Sequence, residues 1–324
     1  MKQIERTLLE EVQRRFPLEP RPYKTLGQRC GLKEEEVFFW LEHLKGQGIL
    51  RQISAIFHPP AFGYRTTLVA AAIPTSRLSQ AVEVINAYPG VSHNYLRDHT
   101  FNVWFTIACP PHENLEDRVA LLMDQAQVHR YLLLPIKRVF RIALILELSE
   151  NDAEMRAEPQ ETPSSQVHLD EKTIALVRAT QEDLPRVSRP FEALGKELGL
   201  SEEEVLAWLK KGLDKGFIRR FAGLVRHTKA GFRGNIMVAW QVPSERVEEI
   251  GRLLAQEKKI THCYERRSYP EWPYNLYTML HAKEVSEALR YVEKLAQRFN
   301  LSHYLPLTTL KEFKKIRLKL FWPD

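Results

Sequence analysis

The chain holds 324 residues, 44% of them hydrophobic and 27% charged, enough for about two domains with cores of their own. No apolar run reaches the roughly 18 residues a membrane helix needs, and the opening stretch MKQIERTLLEEVQRRF is charged throughout, so a soluble protein that avoids membranes is expected. Cys30, Cys109 and Cys263 are odd in number and form no CxxC pair, which argues against a disulfide framework or a thiolate zinc site and for a reducing cytoplasm. The net charge of +6 lies mainly in the second half, where residues 166–324 carry 28 Lys and Arg against 21 Asp and Glu. Nucleic acid, anionic lipid and a polycarboxylate small molecule would all suit such a surface.

In chain order, Ile4–Phe16 and Thr25–Cys30 are predicted helices and Gly31 a turn. Glu34–Lys45 is a third helix with Val37, Trp40, Leu41 and Leu44 along one side. This is a helix-turn-helix pattern, and the extended Ile49–Phe57 that follows is its expected wing. Next come a strand (Thr66–Ile73), a helix (Ser76–Ala87), strands Val91–Arg97 and Phe101–Ala108, a helix (Glu113–Val128) and a strand (Arg138–Leu148). The order βαββαβ is that of a ferredoxin-like domain. Asn151–Gln166, with two prolines, several acids and no apolar period, has the composition of a solvated linker.

Beyond the linker the sequence repeats. GLKEEEVFFWLEHLKGQGILRQ from Gly31 aligns on GLSEEEVLAWLKKGLDKGFIRR from Gly199 at a constant offset of 168. One inserted residue then makes the offset 169, where His93-Asn94-Tyr95-Leu96-Arg97 meets His262-Cys263-Tyr264-Glu265-Arg266. So long a period indicates duplication of a domain pair. The expected fold class is α+β, a tandem duplication of a winged helix-turn-helix plus a ferredoxin-like domain. The boundaries are 1–60, 61–150, a linker at 151–166, 167–228 and 229–324. Strands of the second copy are expected near Asn235–Val242, Ile260–Arg266, Tyr274–His281 and Leu310–Leu320.

A helix-turn-helix that reads DNA puts Lys, Arg, Ser or Thr at the start of its recognition helix. Here that start is Glu34-Glu35-Glu36, and again Glu202-Glu203-Glu204. Carboxylates suit the positive end of a helix but repel a phosphate backbone, so a packing role is favoured and DNA binding disfavoured. Arg51, Arg219, Arg220 and Arg226 remain as phosphate contacts from the wings.

The repeated trio His-x-Tyr-x-Arg carries more information. Strand side chains alternate, so His93, Tyr95 and Arg97 share one face, as do His262, Tyr264 and Arg266. After the trio the copies diverge. The first turns through Asp98-His99-Thr100, whereas the second inserts four residues and continues Arg267-Ser268-Tyr269-Pro270-Glu271-Trp272-Pro273. Asn102 then matches Asn275, and Trp104 matches Tyr277. Together these strands supply the imidazoles of His93, His99, His262 and His281, the guanidiniums of Arg97, Arg266 and Arg267, and the rings of Trp104, Trp272, Tyr274 and Tyr277. Such a set suits a large, flat, multiply anionic ligand. The alternative is ordinary: core aromatics, histidines satisfied by backbone partners and solvated arginines. His43, His58, His112, His129, His168 and His227 have no partner at metal spacing and read as structural, and His303 is left unassigned. No phosphate loop, HExxH, GxSxG or paired-Cys motif occurs.

The order helix-turn-helix, wing, βαββαβ resembles the Lrp/AsnC regulators. The strings HNYLRDHTFNVWFT (His93–Thr106) and HCYERRSYPEWPYNLYTMLH (His262–His281) resemble the signature segments of siroheme decarboxylase, a two-subunit family of which both copies stand here in one chain. The resemblance implies loss of carbon dioxide from the C12 and C18 acetates of siroheme, giving 12,18-didecarboxysiroheme for heme or heme d1. It implies that the two halves pair face to face around the tetrapyrrole, with no cofactor beyond that iron tetrapyrrole substrate and with a homodimer open. The roles it suggests are His93 and His262 as proton donors, Tyr95 and Tyr264 as their orienting partners, and His99 as axial ligand to the substrate iron. Arg97, Arg266 and Arg267 would bind carboxylates, with Trp104, Trp272, Tyr274, Tyr277, Asn102 and Asn275 around the macrocycle. If one pocket alone is catalytic, the expectation is the one containing His99. An Lrp/AsnC-type DNA-binding regulator and a non-catalytic heme carrier or sensor are the competing functions.

Overall fold

The computed structural model describes residues 3–14, 16–142, 166–225 and 234–322. Most of the expected linker, together with Arg226 and His227, lies outside them. Contacts divide the chain into two compact units that each draw on both copies, one of residues 1–64, 162–227 and 319–324, the other of residues 65–161 and 228–318.

The first unit holds both helix-turn-helix segments. These are α1 (Gln3–Arg14), α2 (Pro22–Cys30) and α3 (Glu34–Gly46) from one copy, and α6 (Glu171–Thr180), α7 (Pro190–Leu198) and α8 (Glu202–Asp214) from the other. Proline at the first turn starts α2 and α7, where its missing N–H has no helical partner to lose. Gly31 and Gly199 end them at φ 69° and 67°, the left-handed conformation that glycine adopts without strain.

The acidic helix starts have structural tasks. Glu34 and Glu202 are buried and ion-pair with Arg21 and Arg189, and Glu36 and Glu204 accept the N–H groups of Lys33 and Ser201 as N-terminal caps. The expected wings are not free. β1 (Leu50–Phe57) pairs antiparallel with β6 (Ile218–Val225) of the other copy, so each wing has the other along one edge, and Arg219 sits beside His58.

Gly27 and Gly195 yield a prediction whose sign propensity alone would get wrong. Alanine normally stabilises a helix interior over glycine by about 1 kcal/mol. Here a Cβ would lie 2.6 Å from the Leu32 or Leu200 carbonyl oxygen, a backbone atom that cannot step aside. Gly27→Ala and Gly195→Ala are therefore expected to destabilise by about 1–3 kcal/mol, read from urea denaturation midpoints.

The second unit holds both ferredoxin-like copies. The first comprises β2 (Arg65–Ala71), α4 (Leu78–Ala87), β3 (Val91–Arg97), β4 (Val103–Cys109), α5 (Leu115–Gln125) and β5 (Tyr131–Ile142). The second comprises β7 (Gly234–Trp240), α9 (Val247–Gln256), β8 (Ile260–Arg266), β9 (Leu276–Ala282), α10 (Val285–Phe299) and β10 (Tyr304–Lys315). The last strands start at Tyr131 and Tyr304, earlier than the predicted Arg138 and Leu310. Each pairs on through a proline, Pro135 against Thr67 and Pro306 against Val238.

The sheets do more than face each other. The last strand of each copy joins the other copy, β10 to β3 and β5 to β8, and closes one eight-stranded barrel in the order β10-β3-β4-β2-β5-β8-β9-β7. Closure leaves no open sheet edge. Alternation then sorts the residues. Val69, Val103 and Phe105 pack outward under α4 and α5, and Ile236, Val238 and Leu280 under α9 and α10. Ala70, Trp104 and Leu132 meet Met237, Ala239 and Tyr277 of the other copy inside. No helix among the described residues is long and apolar enough to cross a membrane.

Candidate active site

The inner face of the barrel carries both trios. Cys263 points to the outer core of the second copy, Leu96 leans on that of the first and Asn94 bonds Asn86 of α4, while a register shift between Val91 and His93 lets Val91 face outward as well. Period two therefore turns His93, Tyr95 and Arg97 inward from β3 and His262, Tyr264 and Arg266 inward from β8. Tyr95 registers with Trp104 and Tyr264 with Tyr277, so the two halves repeat the same local pattern.

Arg97 and Arg266 are 4% and 6% exposed, and each crosses to the other copy. Arg97 Nη1 donates to the Leu307 carbonyl at 2.8 Å and the Thr309 hydroxyl at 2.9 Å, and Arg266 Nη1 to the Leu134 carbonyl at 2.6 Å. Their Nε atoms are buried without a partner, and among the described residues no carboxylate pairs with either guanidinium. Tyrosine faces supply part of the compensation, Tyr95 at 5.4 Å from Arg97 and Tyr264 at 5.1 Å from Arg266. Burial pulls Arg97 down to about 10 and lowers Arg266, and it pushes the Tyr95 hydroxyl up to about 12.

The imidazoles are held alike. Ser92 Oγ lies 2.9 Å from His93 Nδ1, and Thr261 Oγ1 lies 2.9 Å from His262 Nδ1. Burial, with His281, His93, Arg141 and Arg266 nearby, lowers His262 to about 4, so the ring is neutral at pH 7. That His93 acts on His262 at all places the two rings within electrostatic reach across the barrel.

The other expected contacts sort differently. Trp104, Trp272 and Tyr277 are packed to 2% exposure or less in an aromatic cluster, with Trp104 Nε1 donating to the Phe101 carbonyl and Trp272 Nε1 to the Tyr277 hydroxyl. Tyr274 stacks edge-on to Trp272 and is half-buried. Asn102 and Asn275 act as clamps on neighbouring backbone. Asn102 spends its amide on the N–H and C=O of Ile73, and Asn275 does the same with Val242. Arg267 follows Arg266 and takes the opposite direction, exposed and lying over the Tyr269 ring at 5.2 Å.

His99 also departs from its expected role. It lies against Phe101 and Trp272, and its Nδ1 accepts the Phe101 N–H at 3.0 Å. A neutral ring in this pose carries its proton on Nε2, which leaves no free lone pair for iron. Burial and the Arg130 charge keep it neutral by lowering its pKa. A separate surface pocket of 390 Å³ includes Asn275 and His303 but no imidazole or guanidinium of the trios.

Sequence reasoning left His281, Thr261 and Asn235 without a task. His281 lies two strand positions beyond Met279 and four beyond Tyr277, so it points inward. Its Nε2 is 2.9 Å from the Thr261 hydroxyl, and its Nδ1 meets Asn235 Oδ1. Period two in β9 was the available signal.

Comparison with known proteins gives the same picture. The family model for the AsnC-like ligand binding domain matches residues 61–141 and 229–314, and that for the siroheme decarboxylase NirDL-like HTH domain matches residues 5–51 and 173–219. A siroheme decarboxylase of Hydrogenobacter thermophilus is 37% identical over 97% of this chain and 94% of its own. A siroheme decarboxylase alpha subunit of Desulfovibrio desulfuricans is 40% identical over 47% of this chain and 87% of its own, so that protein is about one copy long. The crystal structure of the siroheme decarboxylase NirDL in complex with an iron-uroporphyrin III analogue superposes with a TM-score of 0.78 at 34% identity, covering 98% of this chain and 94% of that one. Matched over nearly its whole length in sequence and fold, and carrying both helix-turn-helix and both ligand-binding copies, the chain belongs to the siroheme decarboxylase family.

Proposed function

We propose that the protein removes carbon dioxide from the C12 and C18 acetates of siroheme, giving 12,18-didecarboxysiroheme. The observation that supports this best is the pair of buried, acid-free arginines that share the inner face of one barrel with His93 and the neutral His262. A buried cation without a counter-ion is costly. A ligand with eight carboxylates supplies the missing partner, and an arginine fork binds carboxylate at two points.

Each step balances without an oxidant. The carbon–carboxylate bond breaks, carbon dioxide leaves, and the electron pair spreads into the macrocycle. The Nε2–H bond of an imidazolium then breaks and its proton bonds the new methyl carbon, so one proton is taken from water per carbon dioxide released. Arg97 and Arg266 orient carboxylates, while Tyr95, held high in pKa by burial, stays protonated as a donor and Tyr264 repeats its place in the other copy.

The test is anaerobic incubation of the protein with siroheme followed by mass spectrometry of the extracted tetrapyrroles. Loss of two carbon dioxides per macrocycle is the expected result. Siroheme bound but returned intact would favour a carrier, and absence of binding would reopen the regulator, whose mark, tight salt-dependent DNA affinity, is expected to be absent from this protein.

A pH effect follows with its sign. His262 and His281 sit at about 4 in the unliganded protein, both first through burial, against about 6.5 in an unfolded chain. Between those values the unfolded chain binds more protons, so stability is expected to fall as pH falls from about 6.5 to about 4. Carboxylates arriving beside His262 raise its pKa. Siroheme binding at pH 6–7 is therefore expected to take up protons, measured by titration calorimetry in buffers of different ionisation enthalpy.

A further inference from the structure

Behind their matching trios the two copies differ. In the second copy four groups run in series: His262 Nδ1, the Thr261 hydroxyl, His281, and Asn235 Oδ1. In the first copy Ser92 stands for Thr261, but Ala108 occupies the β4 position equivalent to His281. Thr66 faces Ala108 across the ladder where Asn235 faces His281. Ala108 offers no polar side chain to continue the series.

The chemistry of the series has a direction. An amide oxygen only accepts, so His281 Nδ1 carries a hydrogen and its Nε2 holds a lone pair. That lone pair takes the Thr261 hydroxyl hydrogen, whose other acceptor in reach, the Met279 carbonyl, is farther at 3.4 Å. The Thr261 oxygen is then left to accept from His262 Nδ1–H. His262 Nε2 is thereby the ring atom free to gain and lose a proton. The surrounding titratable groups are His93, Arg141, Arg266 and the Tyr264 ring beside His262, and Lys315 beside His281.

We infer that His281 is a positioning residue that acts through Thr261 to hold His262 in its Nδ1–H tautomer, making His262, rather than His93, the imidazole that delivers protons to the substrate carbon. The inference rests on the decarboxylation reading for its last clause. It puts the proton-transferring half in the second copy, opposite to the half that contains His99. Proton transfer is redox-neutral, with the hydrogen leaving Nε2 and its electron pair remaining on nitrogen.

Two variants test it, His281→Ala and His281→Gln. Glutamine offers one amide N–H for Asn235 and one carbonyl for Thr261, so it keeps both hydrogen bonds without an ionisable ring. Siroheme affinity, from the absorption change on binding, is expected to stay within about threefold in both, as position 281 is separated from His262 by the Thr261 hydroxyl. Single-turnover decarboxylation is expected to slow about 10- to 100-fold in H281A, with the acid limb of its pH–rate profile displaced, and to recover most of the loss in H281Q. Nitrogen-15 spectra of the imidazoles give a readout independent of activity: a protonated Nδ1 at His262 in the parent and in H281Q, and a tautomer mixture in H281A. An unchanged rate and pH profile in H281A, an unchanged His262 tautomer, or a loss of siroheme affinity as large as the loss of rate would overturn the inference. A parent protein that shows the expected tautomer yet fails to convert siroheme would remove the decarboxylation reading and leave the tautomer assignment supported.

Discussion

Replacing Arg97 and Arg266 together by methionine is expected to weaken siroheme binding by at least about 30-fold while the unliganded protein melts no lower than the parent. The two halves of this expectation share one cause. Each guanidinium is buried with a carbonyl partner, and Arg97 also with a hydroxyl, but neither has a carboxylate, so the unliganded fold carries the desolvation cost of a cation and little of the return. Methionine fills similar space with an unbranched apolar chain and removes that cost. The bound state loses instead: breaking a buried, hydrogen-bonded charge pair typically costs about 2–5 kcal/mol, which is 30-fold or more in affinity. Siroheme titration by absorption and a thermal melt of the unliganded variant read the two sides separately. A variant that melts well below the parent would mean the arginines hold the barrel together, and unchanged affinity would mean that the substrate carboxylates lie elsewhere.

His262→Phe is expected to leave siroheme bound and slow decarboxylation by about 10² to 10⁴, the range that a positioned proton donor contributes. Phenylalanine keeps the ring volume against Tyr264, 6.0 Å away in the parent, but has no nitrogen to carry a hydrogen. The measurement is a single-turnover assay with siroheme saturating, so that binding does not enter the rate. Turnover within a few-fold of the parent would exclude His262 as the donor. The Thr261 hydroxyl that meets its Nδ1 loses that partner as well, which makes a modest fall in stability part of the expected result.

Much of this was legible in the chain. A duplicated period of 168 to 169 residues and the βαββαβ order followed from local spacing, because helix and strand periods of 3.6 and 2 are properties of neighbouring residues. So did the sharing of one strand face by His93, Tyr95 and Arg97, and by their copies, since alternation on a strand needs no knowledge of what lies opposite. Glu34 and Glu202 were visible as acidic helix starts, and the same positive helix end that favours them also places them beside Arg21 and Arg189.

What tertiary structure decided was what each side chain meets. Asn102 and Asn275 match between the copies because each clamps the backbone of the strand beside it, at Ile73 and Val242, and a repeated residue reads the same in sequence whether it serves substrate or fold. His99 looked free in a short turn, yet its lone pair goes to the Phe101 N–H two residues on. Arg267 appeared to double Arg266 and instead leaves the barrel. Closure of the barrel through β5–β8 and β10–β3 is the decisive long-range event. It carries Arg97 to Leu307 and Arg266 to Leu134, residues 210 and 132 positions away in the chain, and it sets His262 within reach of His93. Pattern along the chain determines the face a residue takes, and only the pairing of distant strands determines which groups share that face, because hydrogen-bond and charge partners are chosen by distance in space.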